Sequence, residues 1–192
     1  MLYSSFVEQA LRFAAEAHGS QFRKGTAIPY LTHLAGVALI LARAGFDDDE
    51  VLAAAFLHDA IEDAGVTAET VAARFTPRVA ALVVAASEVK RDDAGEKLSW
   101  HTRKSEHLER LRSEPAEARA ILLADKLHNL GTLLDDVAID SAVWSRFNSD
   151  PEQQAWYYIA VLDAAGEEPS LDRLRSEYRT LLGRLKACLP RR

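Results

Sequence analysis

Val51-Leu52-Ala53-Ala54-Ala55-Phe56-Leu57-His58-Asp59-Ala60-Ile61-Glu62-Asp63 is the stretch whose reading decides the fold. Val51 to Leu57 is an unbroken apolar run rich in small residues, and it reads as a buried helix. It ends abruptly in four ionisable groups within six residues: His58, Asp59, Glu62 and Asp63. Side chains three and four apart share a helix face. If the helix continues, His58 stands over Glu62, and Asp59 stands over both Glu62 and Asp63. One imidazole and three carboxylates then converge at the end of a buried helix. Unpaired, they would cost on the order of several kcal/mol each, and a metal ion answers that need. The competing reading is a helix end that has reached water. An adjacent His-Asp pair after seven apolar residues makes a poor solvated face.

The rest of the composition agrees with a helical protein. The chain has 192 residues, 48% of them hydrophobic and 27% charged. That is enough for one good core and too little for two large domains. Ala and Leu dominate, Gly and Pro are few, and β-branched runs are absent, so the expected fold is all-α. No apolar stretch approaches the ~18 residues of a membrane span, and Met1-Leu2-Tyr3-Ser4-Ser5 lacks the pattern of a signal peptide. The single Cys188 excludes an intrachain disulfide and a thiolate cluster. A cytoplasmic location is expected. The net charge of −6 disfavours nucleic acid as a partner. An anionic small substrate would need a local basic pocket inside this acidic envelope.

Outward from the centre, the chain reads as a series of capped helices. Ser5 with Glu8 resembles a capping box, and Phe6, Ala10, Phe13, Ala14 and Ala17 form the stripe of the first helix. Gln21-Phe22-Arg23-Lys24-Gly25 and Ile28-Pro29-Tyr30 form a loop; on composition alone Arg23-Lys24 is a solvated pair. His33 opens a helix that runs to Ala44 and stops at Gly45. Asp47-Asp48-Asp49-Glu50 suits a helix N-terminus and lacks the spacing of a calcium loop. Thr67 caps a short helix to Phe75, and Thr76-Pro77 starts another reaching about Glu88. Lys90 to Lys97 is a polar loop and a lid candidate. Within the helix from Ser99 to Arg112, Lys104 falls on the apolar stripe, where its stem snorkels or its ammonium reaches a pocket. Pro115 begins the helix that carries Ala120 to Ala124 and then Asp125, with Asn129 one turn on. Trp144 to Phe147 lies in or beside a short helix, Asp150-Pro151 starts the next, and Ser170 caps a last amphipathic one. Eight to ten helices are expected, in a single domain over residues 1–192.

His33, His58, Asp59 and Asp125 make a set of two imidazoles and two carboxylates from three helices. Mixed nitrogen and oxygen donors suit Mn²⁺, Fe²⁺, Co²⁺ or Zn²⁺ better than Ca²⁺. The order His33, then His58-Asp59, then Asp125 resembles the HD-domain metal-dependent phosphohydrolases. More closely, it resembles the hydrolase domain of RelA/SpoT proteins and the small alarmone hydrolases. The matching stretches are Arg23-Lys24 with Pro29-Tyr30, Leu57-His58-Asp59 with Glu62-Asp63, and Leu123 to Asn129, together covering roughly residues 5 to 135. The later Trp100, Arg103-Lys104, Trp144 to Asn148 and Trp156-Tyr157-Tyr158 are similar to a bacterial HD-hydrolase branch often grouped with them.

The resemblance implies that His33, His58, Asp59 and Asp125 bind one Mn²⁺. It implies that Glu62 and Asp63 orient the attacking water and handle its proton, and that Arg23, Lys24, Tyr30 and Asn129 hold a nucleotide. Lys104 and Arg146 complete the basic set available for a polyanion. The implied reaction removes the 3′-pyrophosphate from ppGpp or pppGpp, giving GDP or GTP, with no nucleic-acid or membrane partner. Three positions depart from the usual pattern: Leu34 replaces a proline, Ala64 a threonine, and Gly131 an arginine near the expected nucleotide. The alternatives are an HD phosphohydrolase for another nucleotide, such as a 5′-monophosphate or a phosphorylated dinucleotide, and a non-catalytic HD module. A two-metal site would need more histidines, and six residues place His101 and His107 about 120° apart on a helix.

Overall fold

The computed structural model describes residues 3–146 and 149–189. Its centre is helix α3 (Asp49–Leu57), whose Val51, Ala53, Ala54, Ala55, Phe56 and Leu57 are all buried. Asp48 caps it, its side chain accepting from the backbone N–H groups of Glu50 and Val51. The acidic run therefore serves as a helix start, as its charge against the helix dipole suggests. The three alanines let other helices approach closely. α1 (Ser5–His18), α2 (Leu31–Ala44) and α6 (Pro77–Ala86) all pack on α3.

The second buried element is α8 (Ala116–Ile139), with Ala120 through Asp125 buried without a break. α2 and α6 pack against it from one side, and α9 (Pro151–Ala164) and α10 (Asp172–Cys188) from the other. α4 (Ala60–Asp63), α5 (Ala68–Arg74), α7 (Trp100–Leu111) and 3-10 turns at Ser141–Arg146 and Pro169–Leu171 complete the described chain. The described residues are all-helical apart from two isolated bridges, Phe22 with Pro29 and Arg91 with Lys97. The ten α-helices among them match the expected number, and their buried side chains form one hydrophobic core. Among the described residues, no helix is long and apolar enough to cross a membrane.

Several local expectations are corrected. The central helix does not run through the His-Asp pair. α3 stops at Leu57, Asp59 takes φ −98° and ψ −1°, and α4 is a separate single turn. The bend carries the Asp59 carboxylate onto His33 of α2, 3.6 Å away, instead of stacking it over Glu62 and Asp63. His33 is the third residue of α2, not its first. Ser4, not Ser5, caps α1, accepting from the Val7 N–H, which leaves Glu8 to pair with Arg12. α6 ends at Ala86, two residues before Glu88. Ser170 caps nothing: it lies inside the 3-10 turn, and α10 begins without a side-chain cap.

The burial contrast along α2 is directly measurable. Leu41 is fully buried, whereas Leu39 is 59% exposed. Leu41→Ala should lower unfolding free energy by about 2–5 kcal/mol, and Leu39→Ala should stay within about 0.5 kcal/mol. Urea denaturation of the two variants checks this.

Candidate metal centre and its cavity

The three buried elements bring four side chains together. α2 supplies His33, the bend after α3 supplies His58 and Asp59, and α8 supplies Asp125. His33 Nε2 lies 3.2 Å from Asp125 Oδ1 and 3.6 Å from Asp59 Oδ2. His58 Nε2 lies 3.1 Å from Asp59 Oδ2 and 3.9 Å from Asp125 Oδ1. One atom each of His33, His58 and Asp125 falls within 4.8 Å of the others, close enough to share an ion. Both Nε2 atoms are buried, and neither makes an aligned hydrogen bond. Two bare imidazole nitrogens facing two carboxylates are what a divalent cation would satisfy, so the residues fit the implied metal.

Each member is held from outside. His58 Nδ1 bonds the Ala55 carbonyl at 2.8 Å. Tyr30 donates to Asp59 Oδ2 at 2.5 Å, and Asn129 Nδ2 donates to Asp125 Oδ1 at 2.5 Å. Lys126 Nζ sits 2.6 Å from Asp125 Oδ2. His33 Nδ1 meets His128 Nδ1 at 3.0 Å. The electrostatics follow from burial and these neighbours. Burial works against the charged forms of Asp59 and Asp125, but the histidines and Lys126 outweigh it and hold both carboxyls well below their usual range. Burial also opposes a charge on His58, yet the two carboxylates push its pKa up to about 9 in the metal-free protein. Burial, His33 and Arg23 push His128 down to about 4.

Glu62 and Asp63 stand to one side, joined by Lys90. Its Nζ lies 3.3 Å from Glu62 Oε1 and 2.8 Å from Asp63 Oδ1. The Glu88 N–H donates to Glu62 Oε2. Burial, with Glu88 and Asp59 nearby, raises the Glu62 pKa. The start of the lid-candidate loop is thus an anchor, since Lys90 ties it to both carboxylates.

Beside the cluster lies a cavity of about 740 Å³. Arg23, Lys24, Tyr30, Lys104, Asn129 and Arg146 all line it, as does Asp63. Lys104 reaches it through the core: its ammonium pairs with buried Glu88 and lies 4.4 Å from the Tyr157 ring centre. Tyr30 and Asn129 spend their polar groups on Asp59 and Asp125, so both bond the cluster as well as the cavity wall. Arg23 donates to Asn129 Oδ1 at 2.7 Å, and Arg146 pairs with Asp136 at 3.0 Å. Arg146 crosses over Gly25, whose φ is +73° and where a Cβ would come within 2.8 Å of Arg146 Cδ. Phe147 and Asn148, in the stretch compared with related hydrolases, lie outside the described residues.

A Cβ built at Gly131 would lie 3.7 Å from Leu181 of α10, and the cavity lining takes in Asn129 and Thr132 on either side of it but not Gly131 itself. Sequence reasoning passed over Lys126, Glu88, Lys90 and His128. Lys126 and His128 stood inside a motif already singled out. Glu88 and Lys90 had no local signal, because their partners are 16 and 28 residues away at Lys104 and Glu62. His101 and His107 do not meet: His107 bonds the Ala85 carbonyl, and His101 stacks on Trp156.

An all-helical fold with His33, His58-Asp59 and Asp125 at its centre defines a class, and the chain belongs to the HD-domain family, whose pattern matches residues 10–143. Within it, the chain is 41% identical over 129 residues to the mouse guanosine-3′,5′-bis(diphosphate) 3′-pyrophosphohydrolase MESH1, covering 65% of this chain and 68% of that protein. It is 38% identical over 130 residues to the Aquifex aeolicus protein of the same enzyme name, covering 66% of this chain but only 18% of that longer protein. A solved structure described as a metazoan ortholog of SpoT that hydrolyses ppGpp superposes with a TM-score of 0.74 at 30% identity, covering 94% of this chain and 97% of that one.

The raised pKa of His58 gives a pH signature. A histidine whose folded pKa lies above its unfolded value contributes stability that is fully present below about pH 6.5 and lost as pH rises through the folded value. The metal-free protein should therefore lose stability between pH 6.5 and about 9, by on the order of 3 kcal/mol. Urea denaturation at pH 6, 7.5 and 9 measures the slope, and His58→Ala should flatten it.

Proposed function

We propose that this chain is a Mn²⁺-dependent hydrolase that removes the 3′-pyrophosphate from ppGpp or pppGpp, releasing GDP or GTP. The observation that carries the reading is the junction of cluster and cavity. Tyr30, Lys126 and Asn129 bond the candidate ligands, and the same three residues line a cavity with Arg23, Lys24, Lys104 and Arg146. The chain as a whole carries −6, so five cations around one cavity are a local concentration of positive charge. That suits a polyanion with phosphates at both ends of a ribose. The names of the mouse and Aquifex relatives and the ppGpp-hydrolysing structural neighbour support the same substrate. The shared core of α1 to α10 supports reading the described residues as a single hydrolase unit.

In this reading His33, His58, Asp59 and Asp125 hold the ion. A bound divalent cation makes water more acidic and polarises a phosphoryl oxygen. Asp63, on the cavity wall, orients the attacking water. Glu62, whose pKa is raised by burial and the neighbouring carboxylates Glu88 and Asp59, takes up its proton. Lys90 holds the two carboxylates at a fixed spacing. Water adds to the phosphorus next to the ribose 3′ oxygen and that P–O bond breaks. The proton passes to the 3′ oxygen, and pyrophosphate leaves. Arg23, Lys24, Lys104, Lys126 and Arg146 supply the counter-charge for the phosphates.

Two measurements test this. In a panel of nucleotides assayed with Mn²⁺, ppGpp should give pyrophosphate with a far higher kcat/KM than GMP or AMP releases phosphate. Turnover of a 5′-monophosphate with no action on ppGpp would replace this reading by that of an HD phosphohydrolase for another nucleotide. Separately, Asp125→Ala should lose both bound metal and activity. Glu62→Gln should keep its metal by elemental analysis yet lower kcat by roughly 10²–10⁴.

A further inference from the structure

One pair of ring nitrogens in the site has no part in the reaction above. His33 Nδ1 and His128 Nδ1 lie 3.0 Å apart. A hydrogen bond between two imidazole nitrogens needs one donor and one acceptor. His33 Nε2 faces Asp59 and Asp125 and has no hydrogen-bond partner of its own. For Nε2 to offer a lone pair, the proton of a neutral ring must sit on Nδ1. His33 Nδ1 then donates, and His128 Nδ1 must accept.

We propose that His128 is a positioning residue for the metal centre, fixing His33 in the tautomer and orientation that leave Nε2 free to bind the ion. The inference rests on the metal-dependent reading. His58 shows the same division with a backbone partner: Nδ1 is bonded to the Ala55 carbonyl and Nε2 is bare. A carbonyl can only accept, so the backbone sets the His58 tautomer. His33 lacks such a carbonyl and takes its acceptor from a side chain on α8.

A second observation comes from α2 itself. Gly36 stands one turn beyond His33, and a Cβ there would lie 2.2 Å from His128 Cδ2 and 2.3 Å from His128 Nε2. The helix leaves one position bare where the imidazole of α8 lies against it. That contact clamps the His128 ring, whose centre is 4.9 Å from the His33 ring centre at an interplanar angle of 62°. Gly36 and His128 are thus two halves of one device.

Mn²⁺ affinity, measured by competition with a chelator, tests the device in wild type, His128→Phe, His128→Asn and Gly36→Ala. Phe keeps a ring and removes the acceptor, and should weaken binding by about 10–100-fold. Asn places an amide oxygen where Nδ1 was and should recover most of that loss. Gly36→Ala, which pushes the ring aside, should weaken binding as Phe does. In ¹⁵N–¹H spectra of the Zn²⁺-loaded wild type, His33 should carry its proton on Nδ1 and His128 on Nε2. The spectra need no variant to fold. Wild-type affinity in both His128→Phe and Gly36→Ala, an Asn variant no better than Phe, or a His128 proton on Nδ1 would each overturn the inference alone. A wild-type chain that binds no divalent cation would overturn the metal-dependent reading and this inference with it.

Discussion

Everything in this structure is arranged around two buried imidazole nitrogens and two carboxylates, Asp125 buried and Asp59 nearly so. In a medium of low dielectric such groups are costly unless they are paired. The fold meets that cost twice over. Asp125 is matched by Lys126 next to it in sequence, and Asp59 by the hydroxyl of Tyr30. The two Nε2 atoms face these carboxylates without an aligned hydrogen bond. The outer partners hold the four side chains, and the two Nε2 atoms lie 3.1–3.9 Å from the carboxylates, an arrangement that a cation would complete.

The same economy of partners fixes the orientation of Asn129. Arg23 can only donate and the ionised Asp125 can only accept. Asn129 must therefore turn its oxygen to Arg23 and its nitrogen to Asp125, as it does. The amide is the link between the cavity wall and the cluster. One helix carries most of this arrangement: Asp125, Lys126, His128, Asn129 and Thr132 all belong to α8. Five helices, α2, α3, α6, α9 and α10, pack around α8 and bury its apolar length, so the side chains it sends to the cluster stand on a rigid support.

The fold and the centre of the site were legible in the sequence for a physical reason. Buried helices must be apolar all round, so Val51 to Leu57 and Ala120 to Ala124 stood out as runs, and ionisable residues at their ends could not be ordinary surface. Resemblance then supplied the roles. What was not legible depended on geometry finer than periodicity, or on distant partners. The bend at Asp59 is a matter of one ψ angle. The cap at Ser4 turns on a choice between neighbouring positions that local composition does not decide. Lys90 and Glu88 gained meaning only when tertiary packing set them against Glu62 and Lys104.

Lys104 shows how an acidic chain can present positive charge without a basic surface. Burial lowers its pKa, the nearby Lys126 lowers it further, and Glu88 works in the opposite direction. Glu88 is itself buried and also contacts Arg103 at 3.4 Å. The carboxylate thus acts as an internal counter-ion for two cations, one of which faces the cavity. Lys126 is shared in the same way, pairing with Asp125 while lying 5.7 Å from the Tyr157 ring centre. Each cation of the cavity that is also bound to a carboxylate keeps its position without substrate. In the proposed reading, an incoming polyanion meets charges already in place and does not have to order them first, which would cost rotamer entropy. Lys104 and Lys126 thus place part of the cavity's positive charge in the core, beneath a surface whose net charge is free to be negative.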